Sequence, residues 1–253
     1  MKFTPYFRQV PGAKSAALFV HGILGTPAHF KDLIPVIPED WSIYNILLDG
    51  HGRSPADFAH SSMKKWKAQV SAQVEEILQT HEEILIVAHS MGTLFAIDEA
   101  IKQPDRIKAL FLLAVPLKPR VLPSTAINSL RVAFGRIKPG SPAEAMYNDA
   151  GVELTPYLWK YISWIPRFLE LFMEVRRTIS KLPLLSVPAK AFQSYTDELV
   201  GRKSIRLLTG FDAIQLTVLK ESGHFCYSTA DTQLLQTQLK ETVSQIVQKA
   251  GSA

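Results

Sequence analysis

Short apolar runs that alternate with helical patterns restrict most strongly how this chain can fold. Several of these runs are apolar at consecutive positions, as in strands that are covered on both faces of a mostly parallel sheet. Helical patterns with one apolar face lie between them, from Trp66 to Leu78 and from Leu234 to Val247. The alternation predicts an α/β fold with a mostly parallel central sheet flanked by helices. The predicted strands are Ser15 to Val20, Ser42 to Leu48, Ile84 to Val87, Ala109 to Val115, Ala189 to Ser194 and Gln215 to Leu219.

The length and composition fit one domain with an insertion. The chain has 253 residues, 47% of them hydrophobic, which is enough for the large core of an α/β domain. We therefore expect residues 1–253 to form a single domain. From Leu117 to about Ser186 the alternation is interrupted by proline-rich and turn-like sequence, followed by a long amphipathic stretch from Tyr157 to Val175. Residues 117–186 are thus the expected insertion, and Pro166 is expected to kink or split its helix.

Other classes of protein are disfavoured by the same sequence. It contains no apolar run of about eighteen residues and no signal-peptide pattern at its N-terminus, so we expect a cytoplasmic protein without stable membrane insertion. The single cysteine, Cys226, excludes an internal disulfide and a cysteine-based zinc cluster. The net charge of +5 is not concentrated in a basic stripe, so nucleic-acid binding is not predicted.

The apolar run Ile84 to Val87 leads directly into Ala88-His89-Ser90-Met91-Gly92. A helical pattern follows and stops before Pro104, because proline cannot continue the hydrogen-bond ladder. This order of strand, tight turn and helix is typical of a nucleophile elbow with the pattern GxSxG, in which Ala88 replaces the first glycine. The alanine adds only a methyl group, so Ser90 is a candidate nucleophile.

A nucleophilic serine needs a histidine to take its proton and a carboxylate to orient that histidine. Of the seven histidines, His224 follows the last predicted strand in a glycine-containing turn. Asp197 follows the strand before it, which gives the chain order Ser, Asp, His. Glu198 is the nearest alternative carboxylate, and Asp212 and Glu221 are weaker ones. His89 is expected to support the elbow.

Acyl transfer also needs donors for a developing oxyanion. The first long strand ends in His21-Gly22-Ile23-Leu24-Gly25, whose glycines allow the backbone to fold tightly. The backbone N–H groups of Ile23 and Met91 are the candidate donors.

Five ordered sequence blocks resemble the signature of α/β-hydrolases, and are most similar to bacterial carboxylesterases and monoacylglycerol lipases. The resemblance implies an α/β-hydrolase fold in which residues 117–186 form a helical cap. It also implies a triad of Ser90, Asp197 and His224, an oxyanion hole from Ile23 and Met91, and no metal or organic cofactor. The blocks are His21 to Gly25, Asp49 to Ser54, Ala88 to Gly92, Tyr195 to Val200 and Ser222 to Phe225.

The expected function is cleavage of short- to medium-chain acyl esters or monoacylglycerols, with a small-molecule ester as the partner. A peptidase or aminoacyl hydrolase and a carbon–carbon bond hydrolase remain alternatives on the same triad, and so does a non-catalytic ligand-binding protein of the same fold. The oligomeric state is left open. The apolar arc of the cap stretch is expected to lie over the strand ends and line the substrate site. Its candidate substrate-binding residues are Leu158, Tyr161, Ile162, Ile165 and Phe168.

Overall fold

The central sheet organises the protein, as seen in a computed structural model that describes residues 3–119, 131, 136–139, 144, 147, 150–153 and 157–251. Seven strands lie in the order β1-β3-β2-β4-β5-β6-β7. All neighbouring strands are parallel except β1, which runs antiparallel to β3 at the edge. The predicted mostly parallel α/β sheet is thereby confirmed. The strands are β1 Tyr6–Arg8, β2 Ser15–Val20, β3 Ser42–Asn45, β4 Glu83–His89, β5 Ile107–Leu113, β6 Ala189–Ser194 and β7 Ile214–Leu219.

Six α-helices lie in the described part of the chain, accompanied by four short 3-10 helices. None of these helices is both long and apolar enough to cross a bilayer. The α-helices are α1 Pro55–His60, α2 Met63–Thr80, α3 Met91–Lys102, α4 Ile165–Lys181, α5 Lys203–Leu208 and α6 Thr229–Gly251. The 3-10 helices are Pro27–Phe30, Ile34–Val36, Leu158–Trp164 and Leu182–Leu184.

Both faces of the sheet are buried, which explains why the strand sequences are apolar at consecutive positions. In β2, Leu18 belongs to a core shared with helices α2, α3 and α4, whereas its neighbour Phe19 belongs to a core shared with α6. Successive side chains of a strand point to opposite faces, so each face of β2 needs its own apolar residues. The helices therefore form layers on both sides of the sheet.

The strand β1 was missed by the sequence analysis. Its three residues include Arg8 and are mostly exposed, so they carry no apolar pattern. The strand exists because Tyr6, Phe7 and Arg8 pair with β3 at the edge of the sheet. Pairing with a distant segment is a tertiary property that local sequence does not reveal.

The predicted insertion is only partly within the described residues. Residues 120–130, 132–135, 140–143, 145–146, 148–149 and 154–156 lie outside them, and the division into one domain with a cap at 117–186 stays a prediction. The amphipathic stretch is divided, as expected at Pro166: a 3-10 helix ends at Trp164 and α4 begins at Ile165, with the proline in its first turn.

Only part of the apolar arc of α4 faces the core, where the expectation placed all of it. Its inward side carries both apolar and charged residues: Leu171 and Val175 lie in the core, Glu170 Oε2 accepts from the Met63 amide at 2.8 Å, and Glu174 Oε1 lies 2.5 Å from Lys67 Nζ. Glu174 is buried, whereas Ile165 and Leu169 on the opposite side are exposed. Helical periodicity cannot say which part of a wide apolar arc meets the core, and here Leu171 and Val175 do so beside the buried Glu174–Lys67 pair.

Candidate active site

Ser90 occupies a strained turn between β4 and α3. Its φ of 50° and ψ of −123° lie outside the usual regions for a residue with a side chain. Two contacts hold it there: the Ser90 amide donates to the Leu113 carbonyl at 2.8 Å, and the Ser90 carbonyl accepts from the Thr93 amide at 2.9 Å. The sequence-predicted order of strand, elbow and helix is confirmed.

Close packing around the elbow explains its small residues. A Cβ on Gly92 would lie 2.3 Å from the Val20 carbonyl oxygen, and a Cβ on Gly22 would lie 2.6 Å from the Ser90 Cβ. Neither position can carry a side chain without moving the backbone. Ala88, at the first position of the pattern, has its methyl group within the core on the α2 and α3 side of the sheet. The alanine is therefore accommodated.

His224 and Asp197 form a buried pair beyond the ends of β7 and β6. Their Nδ1 and Oδ2 atoms are 2.8 Å apart, and both side chains are almost fully inaccessible. The other carboxylate oxygen of Asp197 accepts from the amides of Leu199 at 2.8 Å and Val200 at 2.7 Å. Within the described residues no hydrogen bond joins the Ser90 hydroxyl to His224, a contact that commonly tightens only when substrate binds.

The backbone of His224 is also held from both sides, which the sequence did not reveal. Its N–H donates to Glu198 Oε2 at 2.8 Å, and its carbonyl lies 3.1 Å from His89 Nε2. Glu198, the nearest alternative to Asp197, thus binds the main chain of His224 and leaves the ring to Asp197. His89 links the elbow to the His224 loop. In the sequence, the only indication that Glu198 and His89 belong to the site is that they are adjacent to Asp197 and Ser90.

The loop that carries Ile23 is fixed through its neighbour Leu24, whose φ is 55°. The Leu24 amide donates to His51 Nε2 at 3.2 Å, and its carbonyl accepts from the Gly151 amide at 2.6 Å. Gly151 lies in the predicted insertion, so this described part of the insertion is hydrogen-bonded to the loop. Across the described part of the chain, no hydrogen bond uses the backbone N–H of Ile23 or Met91.

Two buried histidines brace this loop against the one that follows β3. His21 Nε2 accepts from the Leu48 amide at 3.0 Å, and His51 Nε2 accepts from the Leu24 amide in return. In each ring Nδ1 lies near a backbone carbonyl, which fixes the neutral tautomer with its proton on Nδ1. The Asp49 to Ser54 block thus supports the loop that carries Ile23, through the hydrogen bond to His51.

Burial keeps these rings neutral. It lowers the pKa of His51 to about 4, although backbone carbonyls near the ring oppose the shift. Burial, reinforced by His51, also lowers the pKa of His21 well below its ordinary value, and burial lowers the pKa of His29 to about 3. No group of three or more potential metal ligands was found among the described residues.

Acidification is expected to destabilise the fold through these histidines. An unfolded imidazole binds a proton near pH 6.5, whereas native His51 does so only near pH 4, so the unfolded state binds more protons between these values and stability falls as pH decreases through that window. His51 alone should lower the free energy of unfolding by on the order of 3 kcal/mol across this window. Urea unfolding at about pH 7, 5.5 and 4.5 measures the effect.

The control for this prediction is His51→Gln, which retains an acceptor near Leu24 but cannot titrate. Its free energy of unfolding should depend less steeply on pH than that of the wild type. Equal slopes for the two proteins would contradict the role given to His51.

Sequence comparison identifies the family. The model of the family described as Serine aminopeptidase, S33 matches residues 12–218. A pimeloyl-[acyl-carrier protein] methyl ester esterase of Neisseria meningitidis is 31% identical over 108 residues, which cover 42% of this chain and 39% of that protein. The aligned segments span 33% and 39% of the lengths of the first two curated relatives.

Solved structures share the fold over nearly the whole chain. A structure described with LipS and LipT, two metagenome-derived lipolytic enzymes, superposes with a TM-score of 0.72 at 20% identity and covers 94% of this chain and 96% of its own. A monoacylglycerol lipase from Paleococcus ferrophilus gives a TM-score of 0.67 at 18% identity, with 96% and 99% covered. The strained serine, the layered parallel sheet and the family match agree, and the chain belongs to the Serine aminopeptidase, S33 family of α/β-hydrolases.

Proposed function

We propose that this protein is a serine hydrolase that cleaves carboxylic esters. The observation that carries the proposal is the buried His224–Asp197 pair, held at 2.8 Å on the loops beyond β6 and β7, at the same end of the sheet as the Ser90 elbow that follows β4. A carboxylate-oriented imidazole that takes the proton of a serine hydroxyl is the arrangement that activates the serine for acyl transfer.

In the proposed reaction, the Ser90 hydroxyl attacks the ester carbonyl while His224 Nε2 takes its proton. Asp197 holds the Nδ1 proton and stabilises the imidazolium that forms. The amides of Ile23 and Met91 donate to the oxyanion of the tetrahedral intermediate. His224 then gives its proton to the leaving alcohol, and water hydrolyses the acyl-enzyme with His224 again acting as base.

On α4, charge pairing favours an ester over an aminoacyl substrate. An aminopeptidase needs a free carboxylate to bind the substrate ammonium, but Glu170 is paired with Arg167 and Glu174 with Lys67. Both acids are thus neutralised on the inward side of α4. The names of the similar esterase and lipases support the same choice. Aminoacyl hydrolysis, which the family description names, remains the second candidate.

We further propose an apolar acyl-chain site under the cap. Tyr161 and Phe168 are partly buried and pack on the core that also contains Met91. Ile162 and Ile165, the other described candidates, are exposed on the outward side, and the side chain of Leu158 lies outside the described residues. The inward aromatic residues fit a hydrocarbon chain better than a charged group.

Ester chain length should therefore control the rate. Each buried methylene contributes roughly 0.8 kcal/mol, so kcat/KM should rise about fourfold per added carbon until the site is full. The measurement is kcat/KM for esters with about two to sixteen acyl carbons, beside aminoacyl amides and diketone acids. If kcat/KM did not depend on chain length, or were highest for an aminoacyl amide, aminoacyl hydrolysis would become the favoured function.

A fluorophosphonate probe separates an enzyme from a binding protein of the same fold. The probe should label Ser90 covalently, because phosphonylation requires the same activated hydroxyl. An unlabelled, folded wild-type protein would favour the non-catalytic alternative.

A further inference from the structure

The outward side of α4 and of the 3-10 helix before it is strongly apolar. Six large side chains there are 45% to 65% exposed and recur mostly at spacings of three and four residues, which places them along one side. We call this set the cap face. Exposed apolar residues on soluble proteins are usually scattered, so a continuous row suggests a binding surface. The cap face consists of Trp159, Ile162, Ile165, Leu169, Phe172 and Met173.

Contacts on the opposite side of α4 fix the cap face outward. The Arg167 guanidinium donates to the carbonyls of Ala59 and Ser61, and Glu174 pairs with Lys67 at 2.5 Å. The side chains of Glu174 and Lys67 are only 6% and 18% exposed. Rolling the helix to bury the cap face would break these buried charge pairs and leave unpaired charges behind. The exposure is therefore a consequence of the packing.

The charges that border the cap face are positive. Lys160 lies at its start, and Arg176 and Arg177 lie one turn beyond Met173, all exposed. No exposed acidic residue occurs in the described stretch 157–181, since Glu170 is half-buried and Glu174 is buried. The surface is thus an apolar strip with cations at both ends, which is complementary to an anionic surface.

We propose that the cap face docks reversibly on an anionic phospholipid surface. An amphipathic helix of this kind lies in the plane of the interface, with apolar side chains between the acyl chains and cations at the phosphates. Trp159 lies at the end of the cap face, and tryptophan side chains are enriched at the level of the lipid headgroups. A second copy of this chain fits less well, because joining two such faces brings cations together with no exposed acid between them.

The proposal does not depend on the hydrolysis proposed for Ser90, and it is tested by binding. The full chain is mixed with vesicles of phosphatidylcholine, with or without about 30% phosphatidylglycerol, and sedimented. We expect about tenfold tighter binding to the anionic vesicles, lost at high salt. Of the four tryptophans, only Trp159 is exposed, so a blue shift of tryptophan emission should accompany binding and disappear in Trp159→Phe.

Matched variants locate the contact. Leu169→Glu and Arg176→Glu should each weaken vesicle binding about tenfold, because one places a charge in the acyl region and the other removes a phosphate contact. Val247→Glu changes an equally exposed apolar residue on α6 and should bind like the wild type. Ser90→Ala should also bind normally, whatever its activity. Thermal unfolding followed by circular dichroism checks that each variant is folded.

Three results would overturn the proposal. The first is the absence of vesicle binding by the wild type, and the second is unchanged binding by Leu169→Glu. The third is a lipid-free dimer that Leu169→Glu dissociates, or a preference for an acidic polypeptide over the vesicles, which would assign the cap face to a protein partner.

Discussion

Ser90→Ala is expected to lose ester hydrolysis almost completely, with kcat falling by three to about six orders of magnitude. The variant removes the hydroxyl that would form the acyl-enzyme, and no other described side chain occupies the elbow. Loss of one oxygen from a tightly packed site should leave the fold intact, since alanine fits wherever the serine Cβ already lies. The measurement is steady-state hydrolysis of the best ester from the chain-length series.

The control for Ser90→Ala is Ser194→Ala, a buried serine at the end of β6 whose hydroxyl bonds to the Ser222 carbonyl. This variant should keep most of its activity, because the hydroxyl supports a loop and contacts no reacting group. Substantial activity of Ser90→Ala in a preparation free of other esterases would rule out the assigned nucleophile.

Asp197→Asn is expected to reduce kcat by about 10⁴ with little change in KM. In Asp197 one oxygen accepts from the amides of Leu199 and Val200, and these donors would bind the asparagine oxygen. The asparagine NH2 would then face His224 Nδ1 and force the ring into the tautomer that cannot accept the serine proton. The loss therefore comes from the wrong tautomer, in a site of almost unchanged shape.

Glu198→Gln is the matched control for Asp197→Asn, because it makes the same chemical change at the adjacent residue. A glutamine oxygen can still accept from the His224 amide, the bond that Glu198 makes at 2.8 Å. Its kcat should fall less than about tenfold, consistent with a hydrogen bond that is weakened but retained. The reverse ranking of the two variants would give the orienting role to Glu198.

The sequence by itself determined the α/β class and the candidate triad. Consecutive apolar residues, as in Leu18 and Phe19, predict a strand buried on both faces, and that burial is what the two cores provide. Ser90, Asp197 and His224 follow strands of one parallel sheet, whose carboxyl ends meet at one edge. These are local patterns combined with a simple rule of topology, so they could be predicted without coordinates.

Only the tertiary structure decided which carboxylate faces the His224 ring. Asp197 and Glu198 are neighbours in sequence, and the position after the strand favours Asp197 without showing where either carboxylate points. The turn directs the Asp197 carboxylate to Nδ1 and the Glu198 carboxylate to the backbone amide of the same histidine. The brace between His51 and Leu24 likewise joins residues 27 positions apart. Hydrogen-bond partners across loops depend on directions that a sequence pattern does not contain.

The same limit applies to the cap. The periodicity of residues 157–175 indicates a wide apolar arc beside a narrow polar face, but it does not show which part of the arc meets the core. Here Lys67 and Asp98 lie beneath α4 and pair with Glu174 and Lys181, while Leu171 and Val175 of the same side are buried in the core. The exposed cap face is the part of the apolar arc that lies opposite these buried contacts. Their position relative to α4 exists only once the three helices are packed together.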